Sequence, residues 1–274
     1  MKNLVIRTLS GIVYIGIILG AIFIHPCGFI AVFAILSALT VHEFHRLTRS
    51  HEDTKVLIYT GAAASLLLFV GLSAELFLPS NIGLIIYGML VFALFIAEIF
   101  CRNQNPIRNI SQFLLGQVYI AVPFALMSFI YFENKLLLLA LFVIIWANDT
   151  FAYLCGSFFG KHRMCPSISP KKSWEGFAGG MAGALLAGFV FNFATSFQVN
   201  SGTSPLCLWQ WLVFAAIAVI FGTLGDLYES KIKRAVGVKD SGKIMPGHGG
   251  LLDRFDSLLF AAVPEAAFLI LLLM

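Results

Sequence analysis

Apolar positions in this chain run together in stretches of nearly 20 residues, each broken by a short polar interval. A helix of about 20 apolar residues matches the roughly 30 Å hydrocarbon thickness of a bilayer. The runs predict nine spans, at about 4–24, 28–46, 56–76, 81–101, 111–131, 135–153, 174–195, 207–226 and 254–273. The expected fold class is all-α, a polytopic integral membrane protein of about nine transmembrane helices. No Pro/Gly/Ser-rich linker or soluble-looking block interrupts the series, so a single membrane-embedded domain is expected over 1–274.

The polar intervals alternate in charge. Lys2 and Arg7 precede the first span. Arg46, Arg49 and Lys55 follow the second, Arg102 and Arg108 the fourth, and Lys161, Arg163, Lys171 and Lys172 the sixth. Lys231, Lys233, Arg234, Lys239, Lys243 and Arg254 follow the eighth. Seventeen of the 18 Lys/Arg therefore fall on one side of the path, leaving only Lys135 on the other. By the positive-inside rule the N-terminus is cytoplasmic and the C-terminus outside, which requires an odd number of spans. The 154–173 and 226–257 loops then face the cytoplasm, where nucleotides are, and outer loops such as 195–205 serve as connectors. The expected location is the plasma (inner) membrane, with a cytoplasm-facing active site.

Composition agrees: 59% of residues are hydrophobic and 12% charged, with mean hydropathy +0.90, against roughly 25% charged in soluble domains. The first run resembles a signal peptide, but another apolar run follows at once, so a retained helix is expected. The five cysteines form no CxxC and read as small apolar filler.

Against that background the segment from Asp226 to Ser257 is unusual. It holds six Lys/Arg and five Asp/Glu, out of 18 and 14 in the whole chain. Carboxylates suit Mg²⁺, and basic side chains with Gly-rich backbone suit phosphate. Asp226 and Glu229, three residues apart, share a face if the helix continues, and Asp253 and Asp256 repeat the spacing at the last span. If the two helix ends meet, Asp226 and Asp253 can hold one or two hard cations; the alternative is that the carboxylates neutralise nearby Lys and Arg. The run 246–250, Pro-Gly-His-Gly-Gly, cannot be regular helix, and its backbone N–H groups can approach a phosphate just before a helix start. It is not a Walker A loop. His248, Gly249 and Gly250 are the candidates there.

The loop after the sixth span contributes Lys171 and Lys172, which can steer a triphosphate or an anionic lipid head or simply set topology. Asp149 lies inside an apolar span, which calls for a partner or an aqueous cavity. Ser169-Pro170 suggests a turn leading to a helix. Gly176, Gly179, Gly180 and Gly183 recur at the spacing of close helix packing. Glu43 and Glu98 read as interfacial pairing groups rather than catalysts, and Glu265 has no evident partner in the sequence.

These residues resemble the phosphatidate cytidylyltransferases (CDP-diacylglycerol synthases). Their signature, S-x-x-K-R, four residues, K-D, then P-x-H-G-G-x-x-D-R-x-D, is matched by Ser230 to Arg234, Lys239-Asp240 and Pro246 to Asp256. Gly225-Asp226 and the 169–176 stretch are also similar to the family, and strong resemblance covers roughly 146–180 and 225–257. Met245 stands where the family usually has Leu, Ile or Phe, Ser173 replaces Thr, and Ser157 stands where many relatives carry Arg.

The resemblance implies the reaction CTP + phosphatidate → CDP-diacylglycerol + pyrophosphate, dependent on Mg²⁺ with room for a second cation. It implies an all-helical membrane fold that is often a homodimer, and metal binding at Asp226 and Asp253. Asp149, Glu229 and Asp256 are further candidates for the metal or its surroundings. Lys171, Lys172, Ser230, Lys233, Arg234, Lys239, His248, Gly249, Gly250 and Arg254 are candidates for substrate binding. The partners expected are CTP, phosphatidate and membrane lipid, with no nucleic acid. One alternative is a CTP-dependent kinase of a polyprenol or phytol. Another is an anion transporter, which would spread polar residues at mid-depth or show two related halves.

Overall fold

The computed structural model describes residues 2–49, 55–75, 81–100, 105–197, 206–242, 244–245 and 249–274. Its helices are α1 (Lys2–Phe23), α2 (Pro26–Thr48), α3 (Lys55–Glu75), α4 (Ile82–Phe100), α5 (Pro106–Gly116), α6 (Val122–Glu133), α7 (Lys135–Phe159), α8 (Trp174–Phe197), α9 (Leu208–Ala235) and α10 (Leu252–Leu273). A π-helical turn, Gln117–Ala121, joins α5 to α6, so the two form one span, and the nine expected spans each correspond to a helix. Among the described residues, eight such segments are long and apolar enough to cross a membrane, and α1 adds an apolar stretch at Thr8–Phe23. The chain is a polytopic all-α membrane protein.

Helix starts follow local chemistry. Asn105 caps α5 by accepting from the Arg108 amide at 3.0 Å, with Pro106 as first helical residue. Asn134 caps α7 through Leu136 N–H at 2.9 Å, and Ser173 caps α8 through Gly176 N–H at 3.1 Å. A Thr would serve that cap equally, which explains the tolerance of Ser here. The end of α9 differs from expectation. Its 28 residues extend about 42 Å against roughly 30 Å of hydrocarbon, so its charged last turns project beyond the apolar layer.

The chain forms two compact units. The first comprises residues 1–132 and 240–254. In it α2 packs on α1 and α3, and α3 on α4. The core is aromatic: Phe29 stacks on Tyr131 at 3.8 Å and lies 4.4 Å from Phe33, and Phe29, Phe33, Phe69 and Phe124 are fully buried. At the π turn the buried Gln117 side chain donates to Gly61 O at 3.0 Å and accepts from the Tyr87 hydroxyl. No residue of α4 is buried, the distribution of a lipid-facing helix. Glu98 accepts from the Asn109 side chain at 3.0 Å; Arg102, near it in sequence, lies outside the described residues.

The second unit comprises residues 133–239 and 255–274. Here α7 packs along α8, and α9 packs on both. The glycines at 176, 179, 180 and 183 face Ala152, Cys155, Asn148 and Phe151 of α7, the close packing their spacing predicts. The region before α8 departs from the expected simple turn. Arg163–Cys165 (β1) and Ser169–Ser173 (β2) pair as an antiparallel hairpin, because Pro170 cannot enter a helix interior and Ser173 must be extended to cap α8. Glu175 fixes the hairpin: its carboxylate accepts the Lys161 and His162 amides at 3.2 Å and lies 2.6 Å from His162 Nδ1.

Candidate active site

In the second unit the continuation of α9 brings Asp226 and Glu229 onto one face. Gly225 lets α10 come close to them. A Cβ at Gly225 would lie 2.5 Å from the Asp256 carbonyl oxygen and 2.8 Å from Phe260 Cβ. Asp256 is thereby placed so that carboxylate oxygens of Asp226, Glu229 and Asp256 all lie within 4.8 Å of one another. Three oxygen donors of this kind are the set that a hard divalent cation takes.

Ammonium groups offset the charge. Lys172 Nζ lies 2.5 Å from Asp226 Oδ2. Lys233 pairs with Glu229 one helical turn away, and the Glu229 side chain is fully buried. Ser230 Oγ donates to Asp226 Oδ1 at 3.3 Å, and Asp256 Oδ1 accepts the Ser257 amide at 2.6 Å. A cavity of about 310 Å³ opens beside the cluster, lined by Asp149, Lys171, Lys172, Asp226 and Ser257 among others. That volume lies at the small end of ligand sites. Asp149 is exposed on α7 and accepts from the Asn148 side chain at 3.3 Å. Its cavity position is the aqueous setting that its place in an apolar span demands. The hairpin carries Lys171 and Lys172 to this cavity, where they meet Asp149 and Asp226, the member of the cluster that lines it.

In the first unit the loop before α10 folds back on itself. Met245 N–H donates to Gly249 O at 3.0 Å. Gly249 has φ +90°, and a Cβ there would lie 2.5 Å from Asp253 Oδ2, so no other residue fits without strain. Asp253 Oδ2 accepts three contacts: Ser241 N–H at 2.9 Å, Ser241 Oγ–H at 3.0 Å and Gly250 N–H at 2.8 Å. Asp253 also stands in the first turn of α10, where a negative charge complements the helix dipole.

Of the other candidates, Lys239 and Arg254 are exposed, and Arg234 donates to Val238 O at 3.0 Å, closing the end of α9. His248 lies outside the described residues, as do Pro246, Gly247 and Lys243. Glu265 is fully buried in α10, one residue after Pro264, and the cluster makes no use of it. The sequence points to Asp226 and Asp253 as the metal pair, with Asp149, Glu229 and Asp256 as further candidates; the structure gathers Asp226, Glu229 and Asp256, while Asp253 Oδ2 is engaged by Ser241 and Gly250. Sequence reasoning did not foresee Glu43, which is buried on α2 and bonded to Ser241 and to the amides of Leu251 and Leu252. The partners lie 198 to 209 residues away in sequence, and no local spacing announces such a contact.

The sequence profile of the Cytidylyltransferase family matches residues 5–272. The phosphatidate cytidylyltransferase of Staphylococcus haemolyticus is 38% identical over 181 residues, covering 66% of this chain and 67% of that protein. The protein of the same name from Staphylococcus aureus is 40% identical over 159 residues, 58% of each chain. That from Staphylococcus epidermidis is 36% identical over 178 residues, 65% of each. With the acidic cluster, the basic hairpin and a profile match over nearly its whole length, the chain belongs to the cytidylyltransferase family.

Proposed function

We propose that the chain transfers the cytidylyl group of CTP to phosphatidate, giving CDP-diacylglycerol and pyrophosphate, in the plasma membrane with the site facing the cytoplasm. The observation that carries this reading is that, within one unit, the Asp226–Glu229–Asp256 cluster presents Asp226 to a cavity also lined by Asp149 and the hairpin lysines, in a chain of this family. The staphylococcal relatives support the choice of phosphatidate, and the one-sided distribution of basic residues supports the orientation.

A phosphatidate phosphate oxygen attacks the α-phosphorus of CTP. The bond between the α-phosphorus and its bridging oxygen breaks, and pyrophosphate leaves with the electron pair. The nucleophile is already anionic, so no general base is needed; the demand is to bring two polyanions together and stabilise the leaving charge. Asp226, Glu229 and Asp256 are the residues that would hold Mg²⁺, which supplies charge neutralisation at the phosphates when bound. Lys172 is an ammonium on a flexible stem and can pass from Asp226 to a phosphate oxygen, with Lys171 beside it. Glu229 keeps Lys233 oriented at the cluster. The Gly249 amide, Lys239 and Arg254 are proposed to contact substrate phosphates; the Gly250 amide is committed to Asp253 Oδ2. Phosphatidate enters sideways from the inner leaflet, its acyl chains remaining in lipid.

The test is to incubate the purified protein with phosphatidate, Mg²⁺ and CTP labelled with ³²P at the α- or the γ-phosphate. Label from the α position should enter lipid and label from the γ position should appear in pyrophosphate. Lipid labelled only from the γ position would make the chain a lipid kinase, and no labelled lipid from either would overturn the reading.

A further inference from the structure

Glu43 is a charged side chain near the end of an apolar helix, yet it is only 4% exposed. A buried carboxylate persists only where donors surround it. Its Oε1 accepts Ser241 Oγ–H at 2.5 Å and Leu252 N–H at 3.1 Å, and its Oε2 accepts Leu251 N–H at 3.0 Å. All three donors come from the segment that carries the family signature, and two are backbone amides at the start of α10, which otherwise lack intrahelical partners. The fit is tight on both sides. A Cβ at Gly242 would meet the Glu43 carboxylate at 2.5 Å, and one at Gly250 would collide with both Glu43 Oε1 and Ser241 Oγ. Gly250 is therefore small because Glu43 is there. Ser241 links the anchor to the signature aspartate: its amide and its hydroxyl both reach Asp253 Oδ2, while the same hydroxyl reaches Glu43. A hydroxyl has one proton, so the two carboxylates share a single donor and are held in register by it.

We infer that Glu43 is the positioning residue of the signature loop, a carboxylate on α2 that locks Ser241, Gly250, Leu251 and Leu252 in place and so orients Asp253. It touches no substrate. The consequence for turnover rests on the proposed cytidylyl transfer; the consequence for the loop does not.

The test uses the full-length protein in nanodiscs, with Glu43→Gln, Glu43→Asp and Ser241→Ala. Hydrogen exchange is read at the 241–252 amides and, as a control, in α7 and α8. Glu43→Gln turns one acceptor into a donor facing N–H groups, so exchange at Leu251 and Leu252 should rise roughly tenfold or more, with α7 and α8 unchanged. Ser241→Ala should raise it less, and Glu43→Asp should restore part of the protection. In the assay, KM for CTP should rise together with the fall in kcat, whereas a merely smaller folded fraction lowers apparent kcat alone. Should Glu43→Gln lose the fold, exchange in Ser241→Ala and Glu43→Asp decides. Wild-type exchange at 241–252 in these variants would overturn the inference. Faster loop exchange in a protein whose wild type makes no CDP-lipid would sustain the anchor and sink the enzymatic reading.

Discussion

Glu43 and the Asp226–Glu229–Asp256 cluster hold negative charge near membrane helix ends in opposite ways. Around Glu43 the donors are two backbone amides and a hydroxyl, fixed by the fold. Around the cluster Asp226 and Glu229 pair with two lysine ammonium groups, on long stems that can swing away. Backbone donors cannot be exchanged for a ligand without unfolding the turn, so they make an anchor. Ammonium donors can be exchanged for a cation or carried onto a phosphate, so they suit a reaction centre. A carboxylate's partners, more than its burial, separate the two roles.

The strongest way to break this contrast is to remove charge from the exchangeable side. Asp226→Asn and Asp256→Asn should each lower turnover by several orders of magnitude with normal amounts of protein in the membrane, and the double mutant should be little worse, since residues acting as one unit are not additive. Asp253→Asn should also lower turnover, here through the signature loop that its carboxylate orders. Activity within a few fold of wild type in all three would end the assignment.

Lys233→Ala comes next and sharpens the distinction within the cluster. Lys233 is paired with a carboxylate whose side chain is fully buried, and breaking such a pair from one side costs about 3–5 kcal/mol. The variant should show a clear fall in unfolding midpoint. Lys172→Ala should instead leave stability within about 1 kcal/mol, because both members of its pair are partly exposed, while raising KM for CTP roughly tenfold. Equal thermal losses in the two lysine variants would erase the difference between them. The smallest effect belongs to Arg234→Ala. Arg234 is exposed and reaches Val238 O, so stability should change by about 0.5 kcal/mol or less, with a modest loss in use of anionic substrates.

The nine spans were legible because apolar length alone sets them. The end of α9 was not, since Asp226 to Arg234 reads as a charged loop until the Glu229–Lys233 and Asp226–Ser230 contacts one turn apart are seen to favour helix. Asp226 and Glu229 could be paired from their spacing. Asp256 joins them only through the close approach at Gly225, a property of two surfaces that one sequence does not display. The hairpin before α8 was hidden because its strands are only 3 and 5 residues long. Glu43 was misjudged as an interfacial pairing group: its chemistry is backbone hydrogen bonding across the fold, and amide donors leave no mark in a sequence.

The most direct test of the exchangeable cluster is binding of Mn²⁺, which carboxylate sites accept in place of Mg²⁺, followed by its paramagnetic resonance signal as the purified protein is titrated. Wild type should remove free Mn²⁺ saturably, Lys172→Ala should bind it at least as tightly because a competing ammonium is gone, and Asp226→Asn should lose the site. Equal Mn²⁺ binding by wild type and Asp226→Asn would contradict the account.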